Sequence, residues 1–356
     1  MGQSITFYSP VNHSGQTTLI QGLAHALADR GRKILLFDAN PQMGLTALIH
    51  GLAAEADYSS ENNAAWLKEI QKYLTITEYL NGCLRNHKLQ KPLFQLKLGA
   101  GQIDLISGDL GLFHVEADLI KIFKSGPSPD AQFAARFQYA ISEPLKAYDL
   151  MLIDTATDAG SLLNALFLTA GDYLVTPVSS TFFSLRGLSL MPEIFKTWLA
   201  LLRPFKATPQ VKGLEFKFQF LGYVLGLAER FYAGGGSGED RAKDWFAQFN
   251  LEAEKFYNYL AHSGHAVDKP KFHAIFPDSF PFVISSGGDF ISKINLLSEK
   301  EGLPFLKLSR ENCEVLDEGL SFQNNLGSYV KSMDKLIKSY FYMAHSLCRL
   351  VDSQKA

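Results

Sequence analysis

The residues best placed to do chemistry lie in a turn. A short β-rich run, Ser4–Tyr8, gives way to SPVNHSG, and a helical pattern runs from Thr17 to Asp29. Asn12, His13, Ser14, Gly15, Gln16, Thr17 and Thr18 therefore sit at a strand-loop-helix junction. There the free backbone N–H groups of a first helical turn and the positive end of its dipole suit an anion such as phosphate. The same residues also read as an ordinary polar helix start, because the loop lacks the glycine spacing of the standard phosphate-binding motif. His13 can carry a partial positive charge, but packing or hydrogen bonding is the simpler account of it, and no catalytic role is assigned to it.

The elements that must position this loop follow a regular rhythm. Lys33–Asp38 (KILLFD) is a nearly continuous apolar run, as expected of a parallel strand covered on both faces. Gln102–Ser107 and Asp149–Asp154 (DLMLID) repeat the pattern, with helices expected over Phe113–Phe123 and Ala131–Lys146 and a further strand at Tyr173–Pro177. Strands alternating with helices in this way imply an α/β fold, a doubly wound and mostly parallel sheet flanked by helices. Later in the chain, strands are expected at Phe218–Leu227 and Phe272–Phe276, and a helix at Val330–Leu350. Ala233–Asp240 reads as a glycine-rich loop and Arg241–Leu260 as an inserted amphipathic helix.

Three collinear blocks resemble one family. VNHSGQTTLIQGLAHALADRGRKILLFDANPQMGLT, IDLISGDLGLFHVEADL and YDLMLIDTATDAGSLLNALFLTAGDYLVTPVSSTFFSLRGL are similar to the ParA/MinD family, the P-loop ATPases with a deviant Walker A loop. The resemblance spans about residues 4–192 and weakens beyond. It implies a single ParA-like α/β domain over residues 1–356, with a mostly helical insertion at 53–100, an atypical insertion at 228–271 and a C-terminal helix at 328–351. It also implies a nucleotide site for ATP and Mg2+ at Asn12–Thr18, with Thr17, Asp38 and Asp154 at the metal positions and Asp38 and Asn40 at the switch positions.

The departures from the family pattern carry as much meaning as the matches. The family's loop, Lys-Gly-Gly-x-Gly-Lys-Thr-Thr, uses one lysine to reach a partner subunit's phosphates and a second to hold the β- and γ-phosphates. Here Val11 and Gln16 stand in those places, Asn12 and His13 replace two glycines, and Asn40 replaces the switch aspartate that positions the attacking water. Thr155, Ala156 and Thr157 replace the usual proline pair after Asp154. Gln16 still donates hydrogen bonds but carries no charge. The expectation is reduced ATP affinity and very slow or absent hydrolysis, in a nucleotide-dependent homodimer or in a pseudo-ATPase scaffold for a protein partner.

Bulk properties narrow the partners. The chain has 356 residues, is 47% hydrophobic and carries a formal net charge of -2, so it has no global attraction for nucleic acid or anionic lipid and a DNA contact would need a local basic patch. Lys331, Lys335 and Lys338, with Tyr340, Phe341, Met343 and Leu347, read either as a basic amphipathic face like MinD's membrane anchor or as a core helix with solvated lysines, and the second is the simpler. Cys83, Cys313 and Cys348 show neither zinc nor disulfide spacing, and the chain enters a strand pattern within a few residues, so a cytoplasmic protein is expected. Trp245, Phe246, Phe249, Phe256, Tyr257 and Tyr259 in the atypical insertion suggest either an interface or a covered sheet edge.

Overall fold

The computed structural model describes residues 2–12, 14–50, 60–85, 89–125, 131–207, 213–226, 237–275, 283–286, 305–308 and 326–353. In chain order the elements are β1 (Gln3–Phe7), α1 (Gln16–Ala28), β2 (Lys33–Ala39), α2 (Gly44–His50), α3 (Ser60–Ile70), α4 (Ile76–Arg85), β3 (Phe94–Leu98) and β4 (Gly101–Ile106). There follow α5 (Leu112–Ser125), α6 (Ala131–Ser142), β5 (Leu150–Thr155), α7 (Leu162–Ala170), β6 (Tyr173–Ser179) and α8 (Phe182–Leu202). The last are β7 (Gln219–Gly226), α9 (Ser237–His262), α10 (Lys269–Ile275), β8 (Val283–Ser286) and α11 (Leu326–Ser353).

Among the described residues eight strands form one sheet in the order β3-β4-β2-β5-β1-β6-β7-β8. Every pairing is parallel except β3 with β4, a hairpin whose two-residue connection includes Gly99 at φ 57°. The alternation of side chains along each strand sorts the core into two layers. Leu35, Phe37, Met151 and Ile153 face one layer, Ile34, Leu36, Leu150 and Leu152 the other. The second layer is closed by α1 and α11, and the first by α4 to α9. A central strand buried on both faces must be apolar at nearly every position, which is why KILLFD lacks a polar alternation.

Three expectations are corrected by the fold. Phe94–Leu98, inside the stretch read as mostly helical, is a strand, because the short turn at Gly99 folds it back onto β4. Lys269–Ile275 is helical where a strand was expected at Phe272–Phe276, and Phe272 turns into the second core layer; Phe276 lies outside the described residues. The late strand is instead Val283–Ser286, parallel to β7. Ser237–Asp240, read as loop, forms the first turn of α9, while 228–236 lies outside the described residues.

The aromatic residues of α9 do not form an open surface. Trp245, Phe249, Phe256 and Tyr257 are buried, and Phe246 and Tyr259 pack against the same cluster. Phe256 makes edge contacts with Phe195 of α8 at 5.1 Å and Phe220 of β7 at 5.2 Å. The helix therefore covers the β6–β7 side of the sheet and completes its core. On α11, Tyr340, Met343 and Leu347 are likewise buried, against α1 and its layer, while Lys338 is exposed; the side chains of Lys331 and Lys335 lie outside the described residues.

Candidate phosphate and cation site

Gly15 takes φ 78° at the N-terminus of α1, the left-handed conformation that only glycine adopts without strain. It turns the chain from β1 into the helix, so that the loop lies at the C-terminal edge of the sheet, where α/β folds place their ligands. Helix α8 backs the loop: a Cβ on Gly187 would come within 2.4 Å of Val11 Cγ2 and 3.0 Å of Pro10 Cγ. Val11 is thus packed on α8. His13 lies outside the described residues.

The side chains that follow converge on Asp154. Gln16 is 5% exposed, and its Nε2 donates to Asp154 Oδ1 at 2.7 Å and to the Thr155 carbonyl at 2.7 Å. Thr17 Oγ1 donates to Asp154 Oδ2 at 2.8 Å. Asp38 is the register partner of Asp154 across β2 and β5, so the two carboxylates stand side by side, both fully buried. Backbone and hydroxyl groups hold Asp38: Thr46 N and Oγ1 donate to Oδ2 at 2.8 and 2.7 Å, and Asn40 N donates to Oδ1 at 3.2 Å.

Burial holds both carboxyls above the ordinary carboxylate range. For Asp154 the neighbouring Asp38 charge adds to burial, while the bonds from Gln16 and Thr17 work the other way. For Asp38, Thr46 and Asn40 oppose the burial effect. Among the described residues, the hydrogen bonds to the two acids come from neutral donors.

Of the residues expected to act together, the fold joins Gln16, Thr17, Asp38 and Asp154. The Asn40 side chain serves a local turn, its Oδ1 accepting from Gln42 N at 3.0 Å. Asn12 accepts a hydrogen bond from Thr157, which ties the loop to the segment after Asp154. Ser14 is buried beside it. Three supporting residues were not singled out from the sequence. Thr46 carries the Asp38 bonds and also accepts from Gly108 N at 2.7 Å. Asn164 Nδ2 donates to the Ala156 and Asp158 carbonyls at 2.8 Å each, shaping the segment after Asp154. Glu116 of α5 accepts from Leu162 N at 2.6 Å and Leu163 N at 3.0 Å, an acid on the N-terminus of α7. Thr46, Asn164 and Glu116 all lie within the recognised blocks; only their pairings were hidden.

A hydroxyl beside two carboxylates is the oxygen-rich donor set a hard cation takes. Thr17, Asp38 and Asp154 therefore fit Mg2+ held partly through water, and the backbone N–H groups after Gly15 fit a phosphate. Among the described residues no group of three or more His, Cys, Asp or Glu side chains forms a separate metal cluster. Among them, too, no helix is long and apolar enough to cross a membrane.

Comparison with known proteins agrees with the fold. A family model described as "AAA domain" matches residues 3–203. An uncharacterised protein of Methanocaldococcus jannaschii is 24% identical over 205 residues, covering 57% of this chain and 68% of that one. A putative replication protein A of Rhizobium rhizogenes is 26% identical over 63% of this chain and 50% of its own length. A probable plasmid-partitioning protein ParA of Thermus thermophilus is 28% identical over 49% of this chain and 44% of its own length. Among solved structures, pNOB8 ParA shares the fold with a TM-score of 0.57 at 18% identity, covering 99% of this chain and 100% of that one. An ATP complex of Cyanothece McdA does so with a TM-score of 0.56 at 16% identity, covering 97% and 96%.

Proposed function

The chain belongs to the ParA/MinD-like family of P-loop ATPases, and from that membership we propose that it is a nucleotide-binding positioning protein that hydrolyses ATP very slowly or not at all. The observation that carries this reading is Gln16. It stands where the family's phosphate-holding lysine stands, and its amide is spent on Asp154 and the Thr155 carbonyl. Losing a charge-assisted hydrogen bond costs roughly 1.5–3 kcal/mol, so each absent lysine lowers affinity for the triphosphate by roughly ten- to 150-fold. Phosphoryl transfer in this class is positioning and electrostatics, which leaves little other chemistry to draw on.

In this reading the backbone N–H groups after Gly15 hold the phosphates. Thr17, Asp38 and Asp154 hold hydrated Mg2+, which supplies the positive charge that neutralises phosphate oxygens. Asn40 leaves an attacking water without an acid to orient it. The nucleotide-bound form pairs with a second copy and presents a surface to a protein partner. One neighbour in fold, pNOB8 ParA, has been solved bound to nonspecific DNA with a TM-score of 0.51 at 18% identity. With a net charge of -2, DNA binding here would need a local basic patch, for which Lys331, Lys335 and Lys338 are the candidates. A pseudo-ATPase scaffold is the second reading, favoured by the Thr157 to Asn12 bond, which ties the loop to the chain's own segment after Asp154.

Calorimetric titration with ATP and ADP, with and without Mg2+, beside a phosphate-release assay, tests the proposal. Weak Mg2+-dependent binding without turnover is expected. Robust phosphate release that Asp154→Ala abolishes would overturn it.

A further inference from the structure

A second concavity opens on the far side of β2 from the phosphate loop. Its walls are α3, the start of α4 and the loops that follow β2 and β4, and it encloses about 500 Å3, within the range of small-molecule sites. None of the residues assigned to phosphate or metal lines it. Met43, Leu67, Ile70 and Leu110 supply its apolar wall, and Glu78, Asp109 and Lys91 supply its charges.

Bonds within the chain fix those charges in place. Asp109 Oδ1 accepts from Thr77 Oγ1 and Gly111 N at 2.6 Å each, and Lys91 Nζ donates to Glu78 Oε1 at 2.6 Å. The other two oxygens are lightly used. Among the described residues Asp109 Oδ2 accepts from Thr77 N at 3.3 Å and Glu78 Oε2 from Thr75 N at 3.4 Å. Two carboxylates stand against one ammonium, which Glu78 already holds, so the cavity has an excess of negative charge beside its apolar wall. That balance repels a carboxylate or phosphate ligand, whereas an ammonium gains charge-assisted hydrogen bonds.

Met43 makes the floor adaptable. It stands at φ 59°, the one non-glycine residue with positive φ among the described residues, in a turn where its N–H donates to the Asn40 carbonyl at 2.9 Å. A left-handed methionine is a strained state that persists only where its surroundings hold it, and its unbranched side chain follows ligands of different shape. We propose that this cavity binds a small organic cation, an aliphatic or aromatic amine whose ammonium sits on the Asp109 and Glu78 carboxylates and whose apolar body lies on Met43, Leu67, Ile70 and Leu110. No nucleotide takes part in this binding, so its test is run without one and stands apart from the nucleotide titration.

The full chain, free of nucleotide, is titrated with 4-phenylbutylamine and tryptamine, each beside its matched alcohol and carboxylate, and binding is read by saturation-transfer NMR and calorimetry. Amine dissociation constants of about 1 mM are expected for ligands of this size. The alcohols should bind about fivefold more weakly and the carboxylates more weakly still. Leu110 is 58% exposed, so Leu110→Trp fills the mouth of the cavity without disturbing the core and should abolish binding. Glu78→Gln should weaken the amines about three- to tenfold and leave the alcohols unchanged, while Lys91→Gln, which frees Glu78, should tighten the amines by a similar factor. Leu110→Trp and Lys91→Gln suffice if Glu78→Gln does not fold. Amines that fail to bind the wild type, alcohols or carboxylates that bind as tightly, or weaker amine binding by Lys91→Gln would overturn the proposal. So would undiminished binding to Leu110→Trp, which would place the amine elsewhere on the surface.

Discussion

Phe256→Ala asks directly whether α9 belongs to the core or to a surface meant for another chain. The side chain is fully buried and makes edge contacts with Phe195 and Phe220 at 5.1 and 5.2 Å. Truncating a buried phenylalanine costs about 3–5 kcal/mol, and two aromatic edge contacts place this one in the upper half, about 4–5 kcal/mol. Against a total stability of about 5–15 kcal/mol, that is a large fraction of the whole. Urea unfolding followed by circular dichroism measures it, with Phe246→Ala, a half-buried neighbour on the same helix, as the comparison. The Phe246 loss should be less than half as large. If α9 is core, the Phe256 loss is the same at two protein concentrations differing by about tenfold, because no second chain enters the equilibrium. A loss below about 1 kcal/mol, or one that appears only in the associated protein, would refute the placement of α9 in the core.

Three further outcomes follow from single contacts. A Cβ on Gly101 would sit 2.0 Å from the Ala28 main-chain carbonyl oxygen, so Gly101→Ala should wedge β4 from α1 and cost about 3 kcal/mol or more; an unchanged melting temperature would contradict this. Glu116→Ala releases the N–H groups of Leu162 and Leu163 and should cost about 2 kcal/mol, with faster amide exchange confined to the first turn of α7. Burial lowers the His50 imidazole to about 4, with Glu69 acting in the opposite sense. The fold thus binds this proton less tightly than the unfolded chain, so the residue's contribution is whole above the unfolded value and is lost as pH falls from about 6.5 toward 4. His50→Leu should flatten that acid-side loss when urea midpoints are compared across the window, and an unchanged slope would refute it.

Much of the fold was legible because its signals are local. The apolar runs KILLFD and DLMLID announce strands covered on both faces, and Gly15 before a helical pattern announces the turn that aims N–H groups at an anion. The replaced lysines and switch acid, Val11, Gln16 and Asn40, are likewise visible without coordinates, since charge is a property of the residue. The α10 segment and the β8 strand were not legible, because runs of four to seven residues satisfy helix and strand patterns alike until a neighbour decides.

The pairing of Asp38 with Asp154 depends on β2 lying beside β5, a register between segments more than a hundred residues apart that no local pattern contains. The same adjacency turns the Gln16 amide nitrogen inward onto Asp154. The aromatic residues of α9 show the limit most clearly. Their identity said only that a large apolar surface must be covered, and whether a partner or the chain's own sheet covers it was decided by the packing of α8, β7 and α9. Residue type and spacing determined which groups this protein has for binding phosphate and cation. The tertiary structure alone decided which of them meet, because burial and contact between distant strands are properties of the packed chain.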